Sequence, residues 1–106
     1  MNLEIRGRNL TVSDDLREHC EKRVRFALGR FSDQVSRISV RLMDQNGPRG
    51  GVDKSCQLTV HLRKSRAIHI EDVNDNLFAA VAEAADRASH AVARELSRSR
   101  PLSRVA

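Results

Sequence analysis

The chain has 106 residues, 40% of them hydrophobic, with 19 Lys and Arg against 14 Asp and Glu, a formal charge of +5 and a pI near 10.2. That length suits one domain with one two-layer core; the apolar content excludes a disordered chain; and no run of about 18 apolar residues exists to span a membrane as a helix. Lys22, Lys54 and Lys64 are the only lysines, so the excess charge is mostly arginine, whose planar fork of donors suits phosphate and points to an anionic partner, nucleic acid first.

The first segment, Met1-Asn2-Leu3-Glu4-Ile5-Arg6, alternates apolar and polar side chains and predicts a short strand with one buried face. It lacks the basic start and apolar core of a signal peptide, so a cytoplasmic protein is expected. Gly7 and Asn9 should then loosen the chain. Ser13-Asp14-Asp15 is a helix start, a serine cap followed by two acids at the positive end of the helix dipole. Leu16, Cys20, Val24, Ala27, Leu28 and Phe31 recur at helical spacing, which predicts a helix over 13–31 with an apolar stripe. Both cysteines, Cys20 and Cys56, fall on apolar stripes and outside any C-x-x-C pair, so they read as reduced core residues.

Ile38, Val40 and Leu42 alternate with polar residues in a second strand. The segment Asn46 to Gly51 reads as a flexible loop by its glycine and proline content. Cys56, Leu58, Val60 and Leu62 mark a third strand. After the polar turn Arg63-Lys64-Ser65-Arg66, Ile68 and Ile70 mark a fourth. Asn74 or Asp75 should cap the last helix; with Asn74 as the cap, Val73 and Phe78 would form a hydrophobic staple. The core stripe of that helix is Leu77, Val81, Ala84, Ala85, Ala88, Val92 and Leu96, and Pro101 should end it.

The expected architecture is therefore α+β, in the order β-α-β-β-β-α, with two helices packed on one face of a four-stranded sheet. The first two strands bracket a helix and should lie parallel; the last three should form an antiparallel meander. Residues 1–100 are expected to be a single domain and residues 101–106 a short basic tail.

Catalytic patterns are missing: the sequence holds no H-E-x-x-H, no phosphate-binding P-loop and no G-x-S-x-G. His61 and His69 could meet across a hairpin, but two histidines without a carboxylate or cysteine make a poor metal site. No enzyme activity, cofactor, metal or small-molecule substrate is expected. On the last helix Arg87, His90, Arg94 and Arg98 are spaced to form one line, with Glu95 as an interruption; Lys22, Arg23 and Arg25 give the first helix a basic flank. With both helices on one sheet face, these flanks should lie together and grip RNA phosphates. The strands carry no exposed aromatic, and Phe26, Phe31 and Phe78 are all on helices, which disfavours a sheet that stacks single-stranded bases and favours recognition of RNA shape and phosphate.

Three segments resemble the ribosome hibernation promoting factor and ribosome-associated inhibitor A family, once called sigma-54 modulation proteins. They are Leu3-Glu4-Ile5-Arg6-Gly7-Arg8, Val12-Ser13-Asp14-Asp15-Leu16-Arg17-Glu18-His19, and Asp75-Asn76-Leu77-Phe78-Ala79-Ala80-Val81 with Asp86-Arg87 downstream. The resemblance covers about residues 1–100. It implies a fold similar to a double-stranded RNA-binding domain. It also implies binding to ribosomal RNA of the small ribosomal subunit, in the channel for messenger and transfer RNA, which would inhibit translation in resting cells. The family's basic positions carry over onto Arg23, Arg87, His90 and Arg94. Phe26 and Gly29 stand where relatives tend to have basic residues, and His90 stands where an always-charged side chain is common. The resemblance is to the short form, without a second, dimer-forming domain. A general double-stranded RNA-binding module and a protein-interaction regulator of transcription are the alternatives.

Overall fold

The computed structural model describes residues 2–44 and 53–98. Within them the chain runs β1 (Asn2–Arg8), α1 (Asp14–Leu28), a single 3-10 turn (Gly29–Phe31), β2 (Val35–Asp44), β3 (Lys54–Leu62), β4 (Ile68–Asn74) and α2 (Leu77–Arg98). The strands form one four-stranded sheet in the order β1-β2-β3-β4. β1 is parallel to β2, and β2, β3 and β4 are antiparallel in sequence. This is the expected α+β architecture. The loop around Gly47–Gly51, Pro101 and the basic tail lie outside the described residues.

One face of the sheet supplies the core. Ile5, Ile38, Val40, Leu42, Cys56, Leu58 and Val60 are buried on it, against Leu16, Cys20, Val24 and Leu28 of α1 and the small residues Ala80, Val81, Ala84, Ala85, Ala88 and Val92 of α2. Both helices therefore cover the same face, because the alternation along each strand leaves the other face polar. Val35 is buried as well, three residues before Ile38. The pairing shifts between Val35 and Arg37, and Ser36 donates its hydroxyl to the His61 carbonyl at 3.0 Å. This bulge resets the alternation, which is why a simple period-2 reading starts the buried row at Ile38.

Helix starts follow local chemistry. Ser13 caps α1, accepting from the Leu16 amide at 3.1 Å. The α-helix ends at Leu28, and the residues up to Phe31 continue as the 3-10 turn rather than as the same helix. The cap of α2 is Asn76, not Asn74 or Asp75. Its side-chain oxygen accepts from the Phe78 and Ala79 amides at 2.8 and 3.3 Å. Asn74 acts one step earlier, accepting from the Asn76 amide at 3.2 Å. With the cap two residues later, Val73 and Phe78 no longer occupy the staple positions, and both remain substantially exposed.

Gly7 is not a loosening point but part of β1, opposite Leu42. A Cβ there would lie 2.8 Å from the Leu10 carbonyl oxygen and 2.9 Å from Val12 Cγ2, so the chain can fold back over β1 only because this residue has none. Asn9 makes that reversal with φ of 61°, a left-handed conformation that asparagine tolerates better than most residues.

Two expectations concern stability. Gly7→Ala should cost a net of about 1–2 kcal/mol, because the close neighbour is backbone and must shift; chemical denaturation measures it, and a neutral effect would mean the fold-back is looser than described. The second concerns Cys20 and Cys56, where burial pushes the thiols up from 9.0 to about 11 and about 12. The native state keeps protons that the unfolded chain releases near pH 9, so this stability is intact below pH 9 and lost as pH rises through the folded values. Melting temperature should fall between pH 8 and 10.5, and a Cys20→Ala, Cys56→Ala variant should show a shallower fall; an equal slope would remove the thiols as its cause.

Candidate nucleic-acid interface

The four basic residues of α2 do form a line. Arg87, Arg94 and Arg98 are seven and four residues apart, which returns them to the same side of a helix with 3.6 residues per turn, and His90 lies nearby; all four are exposed. Their side of α2 is the one toward β4. Arg87 Nη1 donates to the Glu71 carbonyl at 2.9 Å and reaches the Asp72 carboxylate at 3.4 Å. Arg87 therefore braces α2 against β4 while half of its side chain stays in solvent. His90 and Arg94 have no hydrogen-bonding or ionic partner among the described residues.

Glu95 does not interrupt this line. It turns inward and is 8% exposed. One carboxylate oxygen accepts from the Ser65 hydroxyl at 2.6 Å and lies 4.0 Å from Arg66 Nε, while the other is 3.5 Å from Arg98 Nη1. A single buried acid thus holds the β3–β4 turn against the end of α2 and fixes two arginines beside it. Arg63 is pinned in the same turn, donating from Nε to the Asp33 carbonyl at 3.2 Å. Arg66 of the turn is thereby brought beside Arg98 at the end of the α2 line, whereas Lys64 lines a separate depression with Asp33, Gln34 and Leu96. Sequence spacing missed Arg66, because the buried Glu95 brings the turn to the helix.

The α1 cations do not join that line. Arg23 faces α2, in a groove shared with Ala85, Asp86 and Ser89. Lys22 is on the outer surface, and Arg25, about 200° around the helix from Arg23, is on the side away from α2. The two helices share a sheet face as expected, yet their basic residues do not form one flank. Arg23 and the α2 line are separated by the width of α2, since the α2 line looks toward β4. Arg30 also enters the groove, with Nη2 at 3.5 Å from Ser89 Oγ and its guanidinium 4.6 Å from the centre of the Phe31 ring. His19 closes one end of the helix pair, donating from Nε2 to the Phe78 carbonyl at 3.0 Å.

On the open face of the sheet, the register brings Arg6 opposite Arg41 and Arg41 opposite Gln57, a polar surface with a shallow depression. His61 and His69 both belong to this face but do not meet. His69 is opposite Thr59, whose hydroxyl is 3.1 Å from Nδ1, and His61 Nε2 is 3.2 Å from Arg37 Nη2. Among the described residues, no group of three or more His, Cys, Asp or Glu is placed to hold a metal ion, and no helix is long and apolar enough to cross a membrane.

This arrangement of a half-covered sheet and arginine-edged helices has relatives. The family described as Sigma 54 modulation protein / S30EA ribosomal protein matches residues 3–100. The chain belongs to this family. Within reach of the S30EA family, the chain is 29% identical over 83 residues to the chloroplastic ribosome-binding factor PSRP1 of Spinacia oleracea; that match covers 76% of this chain and 28% of the spinach protein. The N-terminal domain of Protein Y from Thermus thermophilus superposes with a TM-score of 0.73 at 27% identity, covering 89% of this chain and 98% of that one. A ribosomal subunit interface protein from Coxiella burnetii superposes with a TM-score of 0.76 at 19% identity, over 92% of this chain and 99% of that one, a likeness of fold.

Arg87 and Arg94 of α2 should separate experimentally. Arg87→Ala removes a brace and should cost about 0.5–1 kcal/mol in chemical denaturation, the modest value expected for a half-exposed pair. Arg94→Ala should be neutral within about 0.5 kcal/mol. Equal losses would mean that Arg87 does not brace α2 in solution.

Proposed function

We propose that this protein is a ribosome-associated hibernation factor. In this reading it binds ribosomal RNA of the small subunit, within the channel for messenger and transfer RNA, and inhibits translation in resting cells by occupying that channel. The binding unit is residues 1–100, and the cytoplasm is its expected compartment. Membership of the S30EA family supports the reading, as does similarity to the spinach ribosome-binding factor.

The observation that carries it is the cationic strip of α2 and the β3–β4 turn. From Arg87 to Arg98 the strip runs about 16 Å at 1.5 Å per residue. Its anchored members, Arg87, Arg66 and Arg98, are held by Asp72 and Glu95 and lose less freedom on binding. Its unanchored members, His90 and Arg94, are exposed and can follow a phosphate backbone. Lys22, Arg23 and Arg25 add a second, separate set of contacts on α1, so the RNA would have to meet the protein on more than one side, as the wall of a channel does. No catalytic chemistry is involved; the effect is steric exclusion of messenger and transfer RNA.

Sedimentation with vacant ribosomes tests this. The protein should pellet with the small subunit at low salt and be released at high salt, since each phosphate contact frees counterions. Arg23→Ala combined with Arg94→Glu should weaken pelleting at least tenfold with an unchanged melting temperature, alanine at 23 keeping a second carboxylate away from Asp86. Arg87 is unsuitable for charge reversal because a glutamate there would face Asp72. A folded double variant that pellets like the parent would remove these arginines from the interface. A folded parent that stays in the supernatant at low salt would remove the ribosome itself.

A further inference from the structure

We propose that Phe26 is a stacking platform for a single unpaired RNA base, whose edge enters the groove between α1 and α2. The proposal deepens the RNA-binding reading above and rests on it for the source of the RNA. Phe26 is 87% exposed, far more than any other large hydrophobic residue described. It contributes nothing to the core, which gathers on the opposite side of α1. The ring adds nothing to the burial of the fold and stands open to a partner.

The surroundings specify the partner's chemistry. Lys22 and Arg23 precede Phe26 by four and three residues on α1, and Arg30 of the 3-10 turn lines the same groove as Phe26, so cations stand beside the ring. A protein partner would seek a broader apolar patch than one ring among cations. A nucleotide matches both parts: a flat base for the ring, and phosphates for the cations.

The groove separates base from phosphate. It encloses about 310 Å³ and is lined by Arg23, Ala27, Arg30, Ala85, Asp86 and Ser89, beside Phe26. The two alanines leave room at its floor. Asp86 repels a phosphate but accepts hydrogen bonds from the amino and imino groups of a base. Guanine offers two adjacent donors, N1–H and N2–H, to the two oxygens of a carboxylate, and is the best fit. Arg30, positioned by Ser89 and Phe31, supplies a donor toward an acceptor on the same base or the phosphate beside it. A base can reach this site only if it is unpaired, because in a duplex its faces are stacked and its edge is engaged. The protein would then recognise a bulge or loop flanked by duplex, rather than duplex alone.

Two fluorescein-labelled hairpin RNAs with the same stem, one carrying a single bulged guanine, test the proposal by anisotropy. The parent should prefer the bulged hairpin about five- to tenfold, the lower end of what one base–aromatic stack contributes. Phe26→Ala and Phe26→Leu should bring the two hairpins to parity without weakening binding to the paired one, and Phe26→Trp should keep the preference. Melting curves should be unchanged, since the ring is outside the core. Equal affinity of the parent for both hairpins overturns the proposal, and so does a preference that survives in Phe26→Ala. A concentration-dependent dimer lost in Phe26→Ala, without bulge preference, overturns it in favour of contact between copies. The hairpins need no ribosome, so failure to pellet with ribosomes overturns the ribosomal source while the base preference is judged separately.

Discussion

The alanines of α2 set the spacing on which the rest of the molecule depends. Ala80, Ala84, Ala85 and Ala88 are enclosed between the sheet and α1, and their short side chains let α2 lie close to both. A sheet with one apolar face needs cover along its whole width, and two helices supply it only if they also pack on each other. Larger residues at these positions would lift α2 and open the core beneath it. Because the buried stripe of α2 is narrow, residues at its margins emerge in two directions. Those on one side look into the groove with α1, and those on the other look over β4.

This division governs the charges. Arg87 and Arg98 emerge toward β4 and the β3–β4 turn, where Asp72 and the inward-facing Glu95 meet them. Asp86 and Ser89 emerge on the other side, in a groove they share with Arg23 of α1 and Arg30 of the 3-10 turn. The net positive charge is thus not spread evenly or gathered in one patch. Part of it fixes elements to each other through a few carboxylates, and the remainder stands exposed on several sides. An isolated surface ion pair contributes little to stability. Glu95 differs because it is nearly enclosed, so its hydroxyl and guanidinium partners offset a desolvation cost that would otherwise be unmet.

The fold was legible because its signals are local and repeated. Alternation at Ile38, Val40 and Leu42 and at Cys56, Leu58, Val60 and Leu62, and helical spacing from Leu16 to Leu28, each point to one buried face. The misreadings were also local in origin. Three neighbouring Asx residues compete to cap α2, and only the path of the backbone selects Asn76. Val35 falls out of phase because of the bulge, and Gly7 reads as a break although it is a strand residue under a close neighbour. Of the candidate interface, the line of Arg87, His90, Arg94 and Arg98 followed from spacing alone. Its union with Arg66 did not, because it depends on a carboxylate 30 residues away from Ser65 in sequence.

By itself the sequence determined the order of elements, which face of each is buried, the excess of arginine, and family membership over residues 3–100. Periodicity and composition encode these, since each depends on a residue and its near neighbours. Only the tertiary structure decided where the charges meet. It turned Glu95 inward, set Arg23 in the groove with α2, directed the α2 line toward β4, and left Phe26 beside that groove. Those outcomes depend on how two helices rotate about their axes when they settle on one sheet, and that rotation is set by packing among residues far apart in the chain.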